Sequence, residues 1–315
     1  MGTGPKKTVP SVARQTRYPS EFKEDTVSLV NSSGRSIADV PQPLGGGVEQ
    51  ARHNSAVTSV STAEYWLCDM DGVLIRRGAM IPGADRFLER LRERERPFLI
   101  LTNNSLFAPH DVRDHLARMG LDIDEHQIWT SALATAHYVH TQRPGGSAYV
   151  IGEASMHDAL AEVGFRENAV DPDYVVLGET QRYSFDEFAH AIQLVERGSF
   201  LVATNPEPTG PSAAGSLPGC GAMAALIERA TSRPAYFVGK PNPVMIREGM
   251  NLLGARRAAS VIIGDRMETD ILAGVEAGID TILVLSGVAT TEDLERFPFR
   301  PTRVVNSVLD LLDEL

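Results

Sequence analysis

The sequence has little of what a secreted, membrane-spanning or nucleic-acid-binding protein needs. Its 315 residues contain only two cysteines, Cys68 and Cys220, too few for a disulfide framework, and this predicts a reducing, cytoplasmic location. No apolar run reaches the roughly 18 residues of a membrane span, and the N-terminus lacks the apolar stretch of a secretory signal. The formal net charge of -11 argues against sequence-independent binding of nucleic acid. The hydrophobic fraction of 43% is enough for one large domain or two ordinary ones.

Residues 1–60 differ in composition from the rest, because they are rich in Ser, Gly, Pro and charged residues and poor in apolar clusters. These residues include Arg17-Tyr18-Pro19-Ser20-Glu21-Phe22-Lys23-Glu24 and Gly34-Arg35-Ser36-Ile37-Ala38. With these stretches, residues 17–46 resemble a truncated insertion-sequence transposase helix-turn-helix. Pro41 and Pro43 interrupt the second helix of that pattern, and Gly45-Gly46-Gly47 stands where the recognition helix would follow. We therefore predict a degenerate, mostly disordered extension. A DNA-binding or regulatory role for it is the alternative.

From residue 65 onward, apolar runs alternate with amphipathic segments. The runs predict strands at 66–70, 98–102, 128–130, 261–264, 282–285 and 304–305, and the segments predict helices at 84–94, 109–119, 270–277 and 307–312. Such alternation is typical of an α/β fold with a Rossmann-like, doubly wound parallel sheet. A second α/β pattern lies between the two halves, with strands at 148–151, 174–177 and 200–203 and helices at 156–163, 185–196 and 222–230. We predict a core domain of residues 61–145 and 234–315, with an inserted domain of residues 146–233.

Four polar clusters follow apolar runs. They are Asp69 with Asp71, Thr102-Asn103-Asn104-Ser105, Gly239-Lys240-Pro241, and Asp265 with Asp270. On parallel strands all four would meet at one edge of the sheet, where such folds bind ligands. Carboxylates are hard oxygen ligands that suit Mg²⁺, and a lysine and a hydroxyl beside the metal suit a phosphoryl group. The alternative for each residue is a solvated loop side chain or a helix cap, and the capping alternative is strongest for Thr102 and Asp270.

As a set, these clusters resemble the four motifs of the haloacid dehalogenase (HAD) superfamily. Stretches such as Val176-Leu177-Gly178-Glu179-Thr180 and Ala203-Thr204-Asn205-Pro206 are similar to its class IIA, NagD-like phosphatases. The resemblance covers about residues 64–313. Only one helix and one strand fit between Asp71 and Thr102, whereas the long insertion before Lys240 matches a class IIA cap domain. The resemblance implies a Mg²⁺-dependent phosphomonoester hydrolase.

The resemblance also implies roles for residues. Asp69 would be the nucleophile that forms an aspartyl-phosphate, and Asp71 would protonate the leaving alcohol and then activate water. Thr102 and the amide of Asn103 would hold the phosphoryl oxygens, and Lys240 would offset negative charge on the nucleophile and the phosphoryl group.

For the metal, the resemblance implies Mg²⁺ held by the Asp69 carboxylate, the Asp71 backbone carbonyl and Asp265. Asp270 would orient Lys240 or a metal-bound water. We further predict that Asn104 and Asn205 contact the substrate, with the Gly219-Cys220-Gly221 turn nearby.

The substrate is the least determined part of the prediction. Glu207 stands where the subfamily often has Asp, and the second motif is closer to nitrophenyl phosphatase relatives than to the nucleotidase. We predict a small phosphorylated metabolite, with nucleoside monophosphates such as UMP first and sugar phosphates next. Phosphoglycolate, 4-nitrophenyl phosphate and pyridoxal phosphate remain open, as does phosphotransfer to an acceptor other than water. Cap-mediated dimers occur in the family, so a homo-oligomer also remains open.

Overall fold

The computed structural model describes residues 63–212 and 215–315. The extension predicted for residues 1–60, with its helix-turn-helix resemblance at 17–46, lies outside the described residues. In chain order the strands are β1 Tyr65–Asp69, β2 Ile75–Arg76, β3 Ala79–Met80, β4 Phe98–Thr102, β5 Ile128–Thr130, β6 Ser147–Ile151, β7 Arg166–Glu167, β8 Tyr174–Leu177, β9 Phe200–Ala203, β10 Thr209–Ser212, β11 Gly215–Pro218, β12 Tyr236–Phe237, β13 Ser260–Gly264, β14 Asp280–Val284 and β15 Arg303–Val305.

The α-helices alternate with these strands. In chain order they are α1 Ala84–Glu93, α2 Pro109–Arg118, α3 Ser131–Gln142, α4 Ala154–Glu162, α5 Phe185–Arg197, α6 Cys220–Thr231, α7 Pro243–Leu252 and α8 Leu272–Ala277. The helix predicted at 270–277 begins one turn earlier, as a π-helical turn over Met267–Ile271, and the one predicted at 307–312 is a 3-10 turn over Val308–Leu311. Within the described residues, every helix is too short or too polar to cross a bilayer.

Six parallel strands form the first sheet, in the order β15-β14-β13-β1-β4-β5. The central strand β1 pairs with β13 and β4, so that Cys68 lies between Ile263 and Ile100. Alternate side chains of β1 enter different cores, because successive residues of a strand point to opposite faces: Trp66 and Cys68 pack on one face and Leu67 on the other. The predicted α/β fold is confirmed, and β1 and β13 end together.

A second parallel sheet has the order β12-β9-β8-β6-β7, and its edge strand corrects one expectation. Tyr236 and Phe237 pair with Val202 and Ala203 of β9. The alignment continues beyond β12, since Gly239 N donates to Thr204 O at 2.7 Å. The prediction that all four polar clusters leave one sheet edge is therefore wrong for Lys240, which arrives from the second sheet. This sheet extends past residue 233, and the predicted division into domains at 146 and 233 stays a prediction.

Candidate active site

One lysine and three carboxylates are buried together where the strands β1 and β13 end. Lys240 Nζ donates to Asp69 Oδ1 and, at 2.7 Å, to Asp270 Oδ1. Carboxylate oxygens of Asp69, Asp265 and Asp270 lie within 4.8 Å of one another. Each of the four residues is at most 7% exposed. Residues that follow strands of both sheets thus form a single charged cluster. Its lysine follows β12 of the second sheet, whereas the sequence predicted a strand of the first.

The charges within this cluster do not balance. Burial raises the pKa of Asp69 well above its usual value, and the nearby carboxylates Asp270 and Asp265 raise it further against the opposing effect of Lys240. Burial and Asp270 raise the pKa of Asp265 to about 6. For Lys240, burial alone would lower the pKa, but Asp270 and Asp69 outweigh burial and raise it. Lys240 therefore stays charged, and the three carboxylates around it carry more negative charge than the lysine can offset.

A divalent cation would offset this excess, because three carboxylates facing one ammonium leave two negative charges uncompensated. Oxygen-only donors within a few ångströms of each other are the ligands that Mg²⁺ prefers. The donor set of Asp69, Asp265 and Asp270 thus fits a magnesium ion.

Two glycines close around the Asp265 carboxylate. A Cβ added at Gly72 would lie 2.2 Å from Asp265 Oδ2, and one at Gly287 would lie 1.9 Å from the same atom. Val288 N also donates to Asp265 Oδ2 at 2.7 Å. At both positions the main chain therefore lies so close to the Asp265 carboxylate that only glycine fits. The sequence interpretation missed Gly287, although it follows the apolar strand β14 as the other polar clusters follow theirs.

We expect Gly287→Ala to lower kcat/KM by about 100-fold, the scale of a 1 Å misplacement at a reacting centre. The backbone of Gly287 is not in the left-handed region, so the new methyl group acts by displacing Asp265. Phosphate release and the thermal unfolding temperature of the variant would be measured together. Gly249→Ala is the matched control, since its Cβ would meet only ordinary side-chain contacts at 3.5 Å or more. Wild-type activity of Gly287→Ala would contradict the proposed importance of the Asp265 position.

Asp71 faces the cavity rather than the buried cluster. Gly72, at φ +82°, turns the chain after β1, and Gly72 N donates to Ile75 O at 2.7 Å. Solvent reaches the Asp71 carboxylate, yet the surrounding cavity walls displace much of its water. This desolvation raises its pKa, with a further increase from Glu207 and opposing effects of Lys240 and His115. A carboxyl with a raised pKa suits a proton donor.

The last residue of β4, Thr102, and the first two residues of the following loop, Asn103 and Asn104, line the same cavity. Thr102 Oγ1 accepts a hydrogen bond from Asn104 N at 3.1 Å, and Asn104 Oδ1 accepts one from Leu106 N at 2.8 Å. Both bonds close local turns, so neither residue caps a helix. The Asn103 side chain is directed at the main chain of Lys240 instead.

Asp270 makes contacts both to Lys240 and to the main chain of its own turn. Its Oδ2 accepts a hydrogen bond from Arg266 N at 3.1 Å, which closes the π-helical turn, while its Oδ1 binds Lys240. A Cβ at Gly264 would lie 2.0 Å from Asp270 Cβ, so the end of β13 packs directly against this residue.

The predicted substrate contact of Asn205 has no support in this geometry. Asn205 is fully buried, and its Nδ2 donates to Asn103 O at 2.9 Å. Of the neighbouring turn, Gly219 lines the cavity, whereas a Cβ at Gly221 would lie 2.1 Å from Pro206 O. The turn is therefore a closely packed helix start with one residue at the cavity wall.

The cavity itself is open and has a volume of about 1250 Å³. On the side of the second sheet, residues with hydroxyl or amide side chains line the cavity, namely Thr180, Gln181, Thr209 and Ser216. Charged residues that the sequence interpretation did not assign to the site also line it, among them Glu179 and Arg266. The volume is sufficient for a nucleotide as well as for a smaller phosphate ester.

Comparison with known proteins matches this chain to phosphatases. Residues 66–166 match the family described as haloacid dehalogenase-like hydrolase, and residues 237–311 match a second HAD-hydrolase-like family. The chain is 50% identical over 248 residues to dihydroxyacetone phosphatase of Corynebacterium glutamicum, covering 79% of this chain and 90% of that protein. It is 40% identical over 250 residues to ribonucleotide monophosphatase NagD of Escherichia coli K12, covering 79% and 98%. The solved structure of NagD from E. coli K-12 superposes with a TM-score of 0.76 at 38% identity, covering 79% of this chain and 98% of that one.

Proposed function

Since this chain belongs to the haloacid dehalogenase superfamily, as a NagD-like phosphomonoester hydrolase, we propose that its substrate is a short hydroxylated phosphate ester of the triose phosphate class, hydrolysed through Asp69. The buried cluster of Asp69, Asp265, Asp270 and Lys240 carries the assignment of the reacting centre. Phosphoryl transfer needs positioning and charge stabilisation more than any other catalytic device, and this cluster provides both.

In the first step we propose that the Asp69 carboxylate attacks phosphorus. A bond forms between Asp69 and phosphorus while the bond to the leaving oxygen breaks, and Asp71 gives its proton to the departing alkoxide. The Thr102 hydroxyl and the Asn103 main-chain amide hold phosphoryl oxygens, and Lys240 offsets their charge. In the second step Asp71 takes a proton from water, which attacks the aspartyl-phosphate, releases inorganic phosphate and regenerates Asp69.

Mg²⁺ is proposed as the metal, held by the carboxylates of Asp69 and Asp265 and by the Asp71 backbone carbonyl. When bound, it would neutralise charge on the phosphoryl group. Asp270 holds Lys240 at 2.7 Å, so its proposed role is to orient the lysine.

Two observations favour a triose phosphate over the nucleoside monophosphate that the sequence put first. The higher identity is to a dihydroxyacetone phosphatase, and hydroxyl and amide side chains line the second-sheet wall of the cavity. A nucleoside monophosphate is the second candidate, supported by the match to NagD and by the exposed Phe107 ring at the cavity, on which a base could stack. A cytoplasmic location and a homo-oligomeric state remain predictions.

Phosphate release from a matched panel would separate these candidates. With Mg²⁺ present, we expect kcat/KM for dihydroxyacetone phosphate to exceed that for UMP by at least about 10-fold, a difference of about 1.4 kcal/mol in transition-state binding. Sugar phosphates, phosphoglycolate, 4-nitrophenyl phosphate and pyridoxal phosphate complete the panel. A preference for UMP would reverse the order of the two candidates, while release from none of these esters would contradict both.

A further inference from the structure

Lys240 reaches the carboxylate cluster from a short segment whose main chain is bound by the side chain of Asn103, the residue that follows β4. Asn103 Oδ1 accepts a hydrogen bond from Lys240 N at 2.8 Å, and Asn103 Nδ2 donates to Lys240 O at 2.8 Å. Both polar atoms of one amide side chain therefore bind the main chain of one residue. This two-point contact fixes where the lysine side chain begins.

We propose that Asn103 is the positioning residue for Lys240. We further propose that Asn103 couples the position of the second-sheet loop, residues 205–207, to the position of the lysine. The proposal rests on the proposed function, because it requires Lys240 to act in the reaction. It assigns the Asn103 side chain to the lysine and leaves only its main-chain amide to the phosphoryl group.

The residue before Lys240 supports this assignment by its size. A Cβ at Gly239 would lie 2.7 Å from Asn103 Oδ1 and 2.4 Å from Thr204 O. Glycine is thus the residue that lets the Lys240 segment approach the asparagine and the second sheet at once.

Asn103 is also bound by side chains from helix α3 and from the second-sheet loop. Asn103 O accepts hydrogen bonds from Ser131 Oγ at 2.6 Å and from Asn205 Nδ2 at 2.9 Å. Its Nδ2 also lies 3.3 Å from Glu207 Oε1. Side chains of the second-sheet loop therefore contact Asn103, which itself binds the main chain of Lys240.

Glu207 also approaches the first sheet at a second point, since its Oε1 lies 3.9 Å from Arg266 Nη1. Arg266 is paired with Glu268 of its own turn at 3.3 Å. The loop could therefore influence the cluster through Asn103 or through Arg266, and the two routes can be separated by substitution.

Asn103→Asp tests the positioning role with almost no change in size. The new carboxylate keeps an oxygen that can accept a hydrogen bond from Lys240 N. Its second oxygen replaces the donor Asn103 Nδ2 and faces two acceptors, Lys240 O and Glu207 Oε1. Because small displacements at a reacting centre have large effects, we expect kcat to fall by about 30-fold with KM changed by less than about 3-fold. The matched control is Asn168→Asp, because Asn168 likewise accepts main-chain N–H bonds, from Val170 and Asp171, and donates to one carbonyl, Asp171 O, on the protein surface outside the cavity.

A double-mutant cycle with Lys240→Ala decides whether Asn103 acts through the lysine. Once the lysine side chain is absent, Asn103→Asp should change the residual kcat by less than about 2-fold. An undiminished loss on the Lys240→Ala background would overturn the positioning role alone. Full activity of Lys240→Ala by itself would instead overturn the role of the lysine in the proposed function.

The transmission from the second-sheet loop has its own cycle. We expect Glu207→Ala to lower kcat by about 5-fold in the wild type and to cause no further loss in the Asn103→Asp background. Glu268→Ala, which removes the other partner of Arg266, should stay within about 2-fold of the wild type. Equal losses in Glu207→Ala and Glu268→Ala would show a route through Arg266 and overturn transmission through Asn103.

Discussion

Asp69→Asn is expected to lower kcat by more than about 10⁴-fold, the scale seen when a nucleophile is removed from an enzyme that works by covalent catalysis. An amide has nearly the shape of a carboxylate but cannot attack phosphorus. The fold should persist, because Asp69 ends a strand that is paired on both sides and Lys240 keeps its bond to Asp270 at 2.7 Å. Phosphate release and thermal unfolding of Asp69→Asn would be compared with the wild type.

Asp114→Asn is the control for this experiment. Asp114 also lines the cavity, but it is exposed and paired with Arg113, so its loss should change kcat by less than about 3-fold. If Asp69→Asn kept a tenth or more of the wild-type kcat while remaining folded, Asp69 could not be the nucleophile.

Removal of divalent metal is expected to have the second-largest effect, with activity falling by more than about 1,000-fold in EDTA and returning on addition of Mg²⁺. The physical reason is the excess negative charge of Asp69, Asp265 and Asp270 around one lysine. Asp265→Asn should raise the Mg²⁺ concentration for half-maximal activity by more than about 100-fold, since it removes one charged ligand.

Mg²⁺ should also raise the thermal unfolding temperature, because a ligand that binds only the folded state stabilises it. The increase should be smaller in Asp265→Asn. Glu268→Gln serves as control, since Glu268 is an exposed carboxylate close by in the same turn and should leave both responses unchanged. Full activity in EDTA, together with an unfolding temperature that does not change when Mg²⁺ is added, would contradict the metal site.

The sequence predicted the first sheet and its polar strand ends well because these features are local. An apolar run such as Phe98–Thr102 followed by polar residues indicates a buried parallel strand with a ligand site at its end. For the same reason Asp69, Thr102, Asp265 and Lys240 could be selected as candidates from their neighbours in the chain alone.

Which strand carried each candidate could not be predicted in every case. Tyr236-Phe237 is apolar enough for either sheet, and only its pairing with Val202-Ala203 assigns it to the second. No bounds were predicted for two of the helices. In α3 small buried residues such as Ala132, Ala134 and Ala136 leave no polar face and hence no helical period.

No bounds were predicted for helix α7 despite a usable signal. Asn242 Oδ1 accepts a hydrogen bond from Val244 N at 3.0 Å, and Pro243 is the first helical residue, which together mark a helix start. By contrast, the Asn103–Lys240 contact joins residues 137 positions apart. No local pattern predicts such a contact, and the same holds for the approach of Gly287 to Asp265.

Trapping of the covalent intermediate tests the central claim most directly. The Asp71→Asn variant would be mixed with Mg²⁺ and ³²P-labelled 4-nitrophenyl phosphate, whose nitrophenolate leaves without needing a proton from Asp71. The mixture would be quenched in acid and digested to locate the label. Because this variant lacks the base that activates water, we predict a hydroxylamine-sensitive label approaching one phosphate per chain on the peptide that contains Asp69, and no label when Asp69→Asn is added. Phosphate release by the wild type without any labelled peptide in the Asp71→Asn variant would contradict an aspartyl-phosphate at Asp69.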